Sequence, residues 1–260
     1  MVVNDHGQVE VRAYAELNDF LPRDARGTTL AQPVRPHQTV KDIVEALGIP
    51  HTEIDLVVVD GEPVGFDHRP HSGARLAVYP VFERVDIGPI GRLRPAPLRD
   101  PRFVADVHLG RLARLLRLVG FDTRWRNDLT DEELATIGRR EHRILLTRDR
   151  GLLKRRDVTH GLYVRSGDPQ HQVVDVIRRL DLGDRLAPFS RCLRCGGALA
   201  TVPKAEIVDR LGPVTRARVD EFHRCLACDH VYWRGAHHDS LEAQVARIRG
   251  ALGASRRTSA

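Results

Sequence analysis

From residue 8 the chain alternates: in QVEVRAYAEL apolar and polar side chains take turns, the period of a strand with one buried face. The period then lengthens. In TVKDIVEALGIP, Val40, Ile43, Val44 and Leu47 recur at helical spacing, with Thr39 placed to cap the first turn and Gly48 to end the last. IDLVVVDGEPV returns to a strand that enters an Asp60-Gly61 turn, a strong hairpin signal, and RLAVYPVFE supplies a final strand. Residues up to 83 thus read as one small α+β unit. Residues 84–101 break the pattern with Pro, Gly and Arg, including Arg92, Arg94 and Arg99, and read as a basic linker.

Beyond residue 102 strand and helix patterns alternate. RFVADV is a strand and GRLARLLRLVG a helix with Leu112, Leu115, Leu116 and Val119 on one face. FDTRWR, RILLTRD and GLYVRS are further strands, separated or followed by the helices TDEELATIGRREH and HQVVDVIRRL. Repeated βα units imply a parallel sheet flanked by helices, with ligands gathering outside the carboxyl ends of its strands. Asp106 follows the first strand, Asp128 lies just past the second, Asp149 ends the third, and Asp131 opens the second helix. Crowded carboxylates repel one another unless a cation neutralises them, and hard oxygen ligands suit Mg²⁺ or Mn²⁺. Structural roles compete: Asp131 as a helix-dipole partner, Asp128 as a turn residue, Glu132 and Glu133 as an exposed face. Asp106 directly follows an apolar run and Asp149 ends a strand that opens with one, where an unpartnered carboxylate is costly, so they are the first candidates for metal ligands. Asp168, past the fourth strand, is a weaker one.

Charge and cysteine usage sharpen this picture. A net charge of +6 and a pI near 9.5 suit a polyanionic partner, nucleic acid before membrane. No apolar run approaches the roughly 18 residues of a membrane span, and the first residues lack the pattern of a signal peptide, so a cytoplasmic protein is expected. Cys192, Cys195, Cys225 and Cys228 are the 4 cysteines of the chain, arranged as two C-x-x-C pairs with 29 residues between them. Two such turns complete a tetrahedral Zn²⁺ site with no open position, hence a structural zinc ribbon with a hairpin in the intervening segment. In HVYWRGAHH, Tyr232, Trp233, Arg234, His237 and His238 follow the second pair. Aromatics beside Arg stack on unpaired bases, or Tyr232 and Trp233 simply pack a small domain. A short helix and a basic tail finish the chain.

RFVADVHLGRLARLLRLVGFDT, NDLTDEEL and RILLTRDRGLLKRR resemble the PIN-like ribonuclease family named for the C-terminal domain of the Mut-seven exonuclease. The likeness runs through residues 102–182 and on into the cysteine pairs and the Y-W-x-G stretch. The first unit resembles the ubiquitin-like sulfur carriers of thiamin and molybdopterin synthesis, and such a unit is a known companion of this nuclease domain. Those carriers end in Gly-Gly, whereas here the last strand continues into VDIGPIGRLRPAPLRDPR, which disfavours a sulfur-carrier fusion and favours a docking module.

The resemblance implies an α/β fold: a ubiquitin-like β-grasp over 1–83, the linker 84–101, a PIN-like nuclease domain over 102–188, a zinc ribbon over 189–240, and a helix with a basic tail over 241–260. It implies metal-assisted hydrolysis of RNA, with tRNA, rRNA or the ribosome as partner. Carried over by position, Asp106 and Asp149 hold Mg²⁺ or Mn²⁺, with Asp128 and Asp131 the best fits for the remaining acids. Arg111, Arg114, Arg148, Lys154, Arg155 and Arg156 would guide the phosphate backbone, joined by Trp233 and Arg234. The ubiquitin-like unit would take a protein partner. A non-catalytic RNA- or ribosome-binding factor on the same fold is the alternative, and DNA remains open because phosphate recognition does not separate the two nucleic acids.

Overall fold

The computed structural model describes residues 7–81, 93, 100–235 and 238–256, with side chains as far as residue 254. The linker arginines Arg92, Arg94 and Arg99, together with His237 and the basic tail after 256, lie outside the described residues. In chain order the first elements are β1 (Gly7–Ala13), β2 (Thr29–Val34), α1 (Val40–Ala46), β3 (Ile54–Val59), β4 (Glu62–Val64) and β5 (Arg75–Pro80). Next come β6 (Arg102–Ala105), α2 (Gly110–Leu118), β7 (Thr123–Arg124), α3 (Asp131–Arg140), β8 (Arg143–Thr147), α4 (Arg150–Leu153), β9 (Gly161–Tyr163) and α5 (Pro169–Arg179). The last are β10 (Leu199–Val202), α6 (Pro213–Arg218), β11 (Phe222–Cys225), β12 (Val231–Trp233) and α7 (His238–Arg256). They fall into two compact units. The first takes the N-terminal elements with Ala135–Tyr163, the second Asp100–Leu134 with the chain from Val164 onward.

In the first unit, alternation along β1 buries Val9, Val11 and Ala13 on one face. The sheet runs β2-β1-β5-β3-β4, with β1 and β5 parallel and the other neighbours antiparallel. This is the β-grasp order. The helix α1 lays Val40, Ile43 and Val44 against the sheet core. Its start is a capping box, in which Thr39 Oγ1 accepts from Asp42 N and Asp42 Oδ2 accepts from Thr39 N at 2.9 Å. Asp60 and Gly61, at φ +50° and +94°, form the tight turn between β3 and β4. Strand β2 escaped the periodic reading because it is an edge strand that contains Pro33 and buries only Val34 fully. Leu93, from the linker, donates its N–H to Asp55 O at 2.9 Å and packs on the same core.

The same unit contains β8, α4 and β9. Every residue of β8 is buried, as its apolar run requires, and β8 pairs in parallel with β9 through Leu145↔Gly161 and Leu146↔Leu162.

In the second unit, β6 pairs in parallel with β7 through Phe103↔Thr123. The leucine face of α2, Leu112, Leu115 and Leu116, is buried and packs against α5, which buries Val173, Val176 and Ile177. The closing helix α7 covers 19 residues where a short one was expected. It packs on α5, burying Val245 and Ile248, and Arg178 Nη2 donates to Ala251 O at 2.6 Å. The antiparallel sheet β10-β11-β12 carries the cysteine pairs around a small core of Val202, Ile207, Leu211, Phe222 and Val231. The fold is therefore mixed α/β: a β-grasp, parallel strands flanked by helices, and a small four-cysteine sheet domain. No helix among the described residues is long and apolar enough to cross a membrane.

Candidate active site and metal centre

Asp106 leaves β6 directly and is buried, only 9% exposed. Its carbonyl accepts Leu109 N–H at 2.8 Å, which closes the short turn ahead of α2. Trp125 fixes that turn from the other side. Its indole Nε1 donates to Val107 O at 3.1 Å, and its ring fills the space beside Gly110, where a Cβ would lie 2.7 Å from Cζ2. Sequence reading passed over both residues, since one Trp in a strand pattern gives no sign of which turn it covers.

The other acids differ in their surroundings. Asp128 is exposed and forms a two-pronged ion pair with Arg126 at 2.8 Å and 2.8 Å, a bond that holds its carboxyl below the usual range. Asp131 is exposed in the first turn of α3. Capping there falls to Thr130 and Glu133: Thr130 N donates to Glu133 Oε2 at 2.8 Å, and Glu133 N to Thr130 Oγ1 at 3.3 Å. Thr130→Ala is accordingly expected to cost about 1 kcal/mol in thermal or urea unfolding, and an unchanged midpoint would remove the cap from the account. Asp149 is exposed and caps α4, its Oδ1 accepting Gly151 N–H at 2.6 Å, while its own N–H donates to Thr147 Oγ1 at 2.9 Å. Asp168 caps α5 in the same manner, accepting His171 N–H at 2.9 Å.

The basic candidates divide into two groups. Arg111 and Arg114 are exposed on α2, and Arg148 and Arg156 are exposed around α4. Lys154 instead donates from Nζ to Glu45 O at 2.6 Å, and Arg155 grips Asp157 with two bonds of 3.0 Å and 3.0 Å. Trp233 is 42% exposed, with its ring tilted against Phe222 at 6.2 Å. Arg234 bonds Glu242 at 3.1 Å and His238 at 3.2 Å.

Cys192, Cys195, Cys225 and Cys228 converge, with their four sulfurs all within 4.8 Å of one another. Among the described residues no other group of three or more His, Cys, Asp or Glu side chains meets that spacing. The Sγ–Sγ separations of 3.7 Å for Cys192–Cys228 and 3.5 Å for Cys195–Cys225 bear on metal binding. Zn–S bonds of about 2.3 Å in a tetrahedron put sulfurs about 3.8 Å apart, so the four side chains fit Zn²⁺. Backbone amides already face the sulfurs: Gly197 N to Cys195, and Ala227 N and Cys228 N to Cys225, each at 3.4 Å. Tyr232 Oη donates to Cys192 Sγ at 3.1 Å. Burial pushes the Cys192 thiol up, but Tyr232 and the Cys195 and Arg194 amides outweigh it and bring it to about 6. Burial and neighbouring sulfurs push Cys195 up to about 12 despite the Gly197 amide. Four such thiols do not all ionise without a cation among them.

One buried cation reaches this centre from α2. Arg117, 3% exposed, donates from Nε to Thr123 O at 2.9 Å and from Nη1 to Leu193 O at 3.2 Å and Arg194 O at 3.0 Å. It ties the first cysteine turn to the end of β7. Gly196 belongs to the same junction: at φ +86° it lies so close that a Cβ would come 2.7 Å from Thr123 O.

The family model of the Mut7-C RNAse domain matches residues 101–245, and that of the Mut7-C ubiquitin domain matches residues 6–86. Among solved structures, two crystal structures of small archaeal modifier protein 1 from Haloferax volcanii match with 21% and 22% identity. They cover 29% and 30% of this chain and 99% and 100% of theirs, at TM-scores of 0.24 and 0.25. No curated protein matches. With a ribonuclease-type domain matched over more than half of its length, and the ubiquitin-like domain of the same family ahead of it, the chain belongs to the Mut7-C RNAse domain family.

Proposed function

We propose that this protein is a divalent-metal-dependent ribonuclease that hydrolyses phosphodiester bonds of structured RNA, tRNA or rRNA. The observation that carries the reading is an aspartate just past a strand of each unit, Asp106 after β6, which runs parallel to β7, and Asp149 after β8, which runs parallel to β9, in a chain of an RNAse family. Mg²⁺ or Mn²⁺ takes only one or two protein carboxylates, keeps several waters and draws the rest of its shell from substrate phosphate, so either acid is a chemically suitable ligand. The donor chemistry fits, and no three-carboxylate cage is needed. When bound, such an ion lowers the pKa of a water and offsets charge on the attacking and leaving oxygens.

The chain's own groups do the remaining work. The turn that follows Asp106 is held by Trp125, and Asp149 is oriented by the Gly151 amide. Exposed Arg111, Arg114 and Arg148 attract the phosphate backbone, a contribution that weakens with salt. The exposed face of Trp233 stacks on an unpaired base, and the four-cysteine centre holds structural zinc that fixes the sheet bearing it. Domain limits at 83, 101, 188 and 240 are part of this reading.

The test is cleavage of labelled tRNA and rRNA with added Mn²⁺ or Mg²⁺. Asp106→Asn and Asp149→Asn are each expected to lower the rate by at least about a hundredfold while RNA binding stays within about threefold. No metal-dependent cleavage by the wild type, with RNA binding intact in all three proteins, would replace this reading with the non-catalytic RNA-binding one.

A further inference from the structure

The segment that follows Asp149 is short of intrinsic stability. The helix α4 has four residues, too few to persist without outside support. It packs against β8 and β9, and its flanking cations are held by the ubiquitin-like module, which shares a compact unit with β8, α4 and β9. Arg150, next to Asp149, lies over the Phe20 ring at 5.1 Å and the Tyr163 ring at 5.3 Å, and its Nη1 donates to Phe20 O at 3.3 Å. Lys154, at the other end of α4, places its ammonium on Glu45 O at 2.6 Å, a carbonyl at the carboxyl end of α1 that also accepts Gly48 N–H at 3.0 Å and lies where the helix dipole favours a cation. His51 bridges the Glu45 carboxylate at 2.8 Å and Val158 O at 3.2 Å. Fully buried Glu53 accepts Tyr163 N–H at 2.5 Å, which fixes the end of β9.

We propose that the ubiquitin-like module acts in cis as a brace for the Asp149 turn, with Arg150 and Lys154 as positioning residues clamped by Phe20 and Glu45; the inference rests on the reading of Asp149 as a metal ligand. Two of the cations that follow Asp149 are thus engaged by the module, while Arg148 and Arg156 stay exposed. That division argues for bracing and against masking of the basic surface. Gly151 reports on the brace directly, because its amide is bonded to Asp149 Oδ1.

The experiment compares full-length wild type, Arg150→Met, Lys154→Met, their double variant, Arg150→Lys and Asp149→Asn. Two quantities are read: hydrogen exchange of the peptide containing Gly151, and RNA cleavage across a Mn²⁺ titration. In the double variant, exchange at Gly151 is expected to rise about tenfold, kcat to fall about tenfold or more, and half-saturating Mn²⁺ to rise, with KM for RNA within about twofold. Loss of folded protein alone would lower the rate without moving the Mn²⁺ half-saturation. Arg150→Lys, which keeps a cation over the rings, is expected to recover most of the single-variant loss. Should the double variant aggregate, Lys154→Met alone carries the same readouts. Wild-type exchange at Gly151 overturns the brace. So does faster cleavage, which would make the contact inhibitory, or a raised KM at unchanged kcat, which would make these side chains phosphate contacts. If instead Asp149→Asn cleaves normally, the metal-ligand reading fails, and the exchange measurement still decides whether the module holds the turn.

Discussion

Cys225→Ser, or extraction of zinc by a strong chelator, is expected to unfold the β10-β11-β12 domain outright. Its apolar core is Val202, Ile207, Leu211, Phe222 and Val231, with Val219 partly buried beside them, a small core for a segment that includes long irregular stretches. Structural zinc in small domains supplies on the order of 10 kcal/mol of folding free energy, more than that core can replace. The geometry is prepared for it: tetrahedral sulfur spacings, amides aimed at Cys195 and Cys225, and a phenol aimed at Cys192. Removing the cation leaves clustered sulfurs that cannot all stay ionised, so the amide and phenol donors lose the anions they face. The check has two parts. Metal analysis should find one zinc per chain, and hydrogen exchange after chelation should show the amides of residues 190–235 exposed while those of the β-grasp strands keep their protection. Ribbon amides that remain protected without metal would show that the packed core suffices.

What could be foreseen from the sequence, and what could not, follows from how far each signal is local. The helix α1 was legible because its apolar spacing, its Thr39 cap and its Gly48 stop all lie within a dozen residues. The cysteine centre was legible because spacing within each pair already specifies a turn, and the two turns need only meet. Strand β2 was not, since an edge strand with Pro33 and one fully buried side chain has almost no pattern to read. Lys154, Arg155 and Arg156 after Asp149 read as phosphate contacts, yet Lys154 faces Glu45, and Arg150, not among those candidates, faces Phe20, each partner more than a hundred residues earlier in the chain. Charge type is visible in a sequence; which partner takes the charge is a tertiary fact. Glu133 makes the same point on a smaller scale, being exposed as its pattern suggests but engaged in the cap with Thr130.

Arg117 is the sharpest case. Arg111, Arg114 and Arg117 recur every third residue on α2, a spacing that does not tell them apart, but the first two are exposed and the third is 3% exposed. Arg117→Met is expected to destabilise the second unit by about 3–4 kcal/mol. The substitution keeps an apolar stem of similar reach and removes every donor, so Thr123 O, Leu193 O and Arg194 O lose their partner at once. It also removes a cation whose pKa burial lowers, an effect that the nearby Cys195, Cys192 and Asp122 only partly counter. With zinc bound, four thiolates leave a net dianion beside this guanidinium, so the same substitution is expected to speed zinc loss to a chromogenic chelator by about tenfold. Arg117→Lys restores the charge and one bond but not the fork that reaches both β7 and the cysteine turn, and its effects should fall between. A fall of roughly 10 °C in the unfolding midpoint of this unit, together with faster zinc release, would establish Arg117 as the tie between the nuclease strands and the cysteine centre. A Met variant that melts and releases zinc as the wild type does would mean that the ribbon is held by its own contacts, and that the buried guanidinium is only accommodated there.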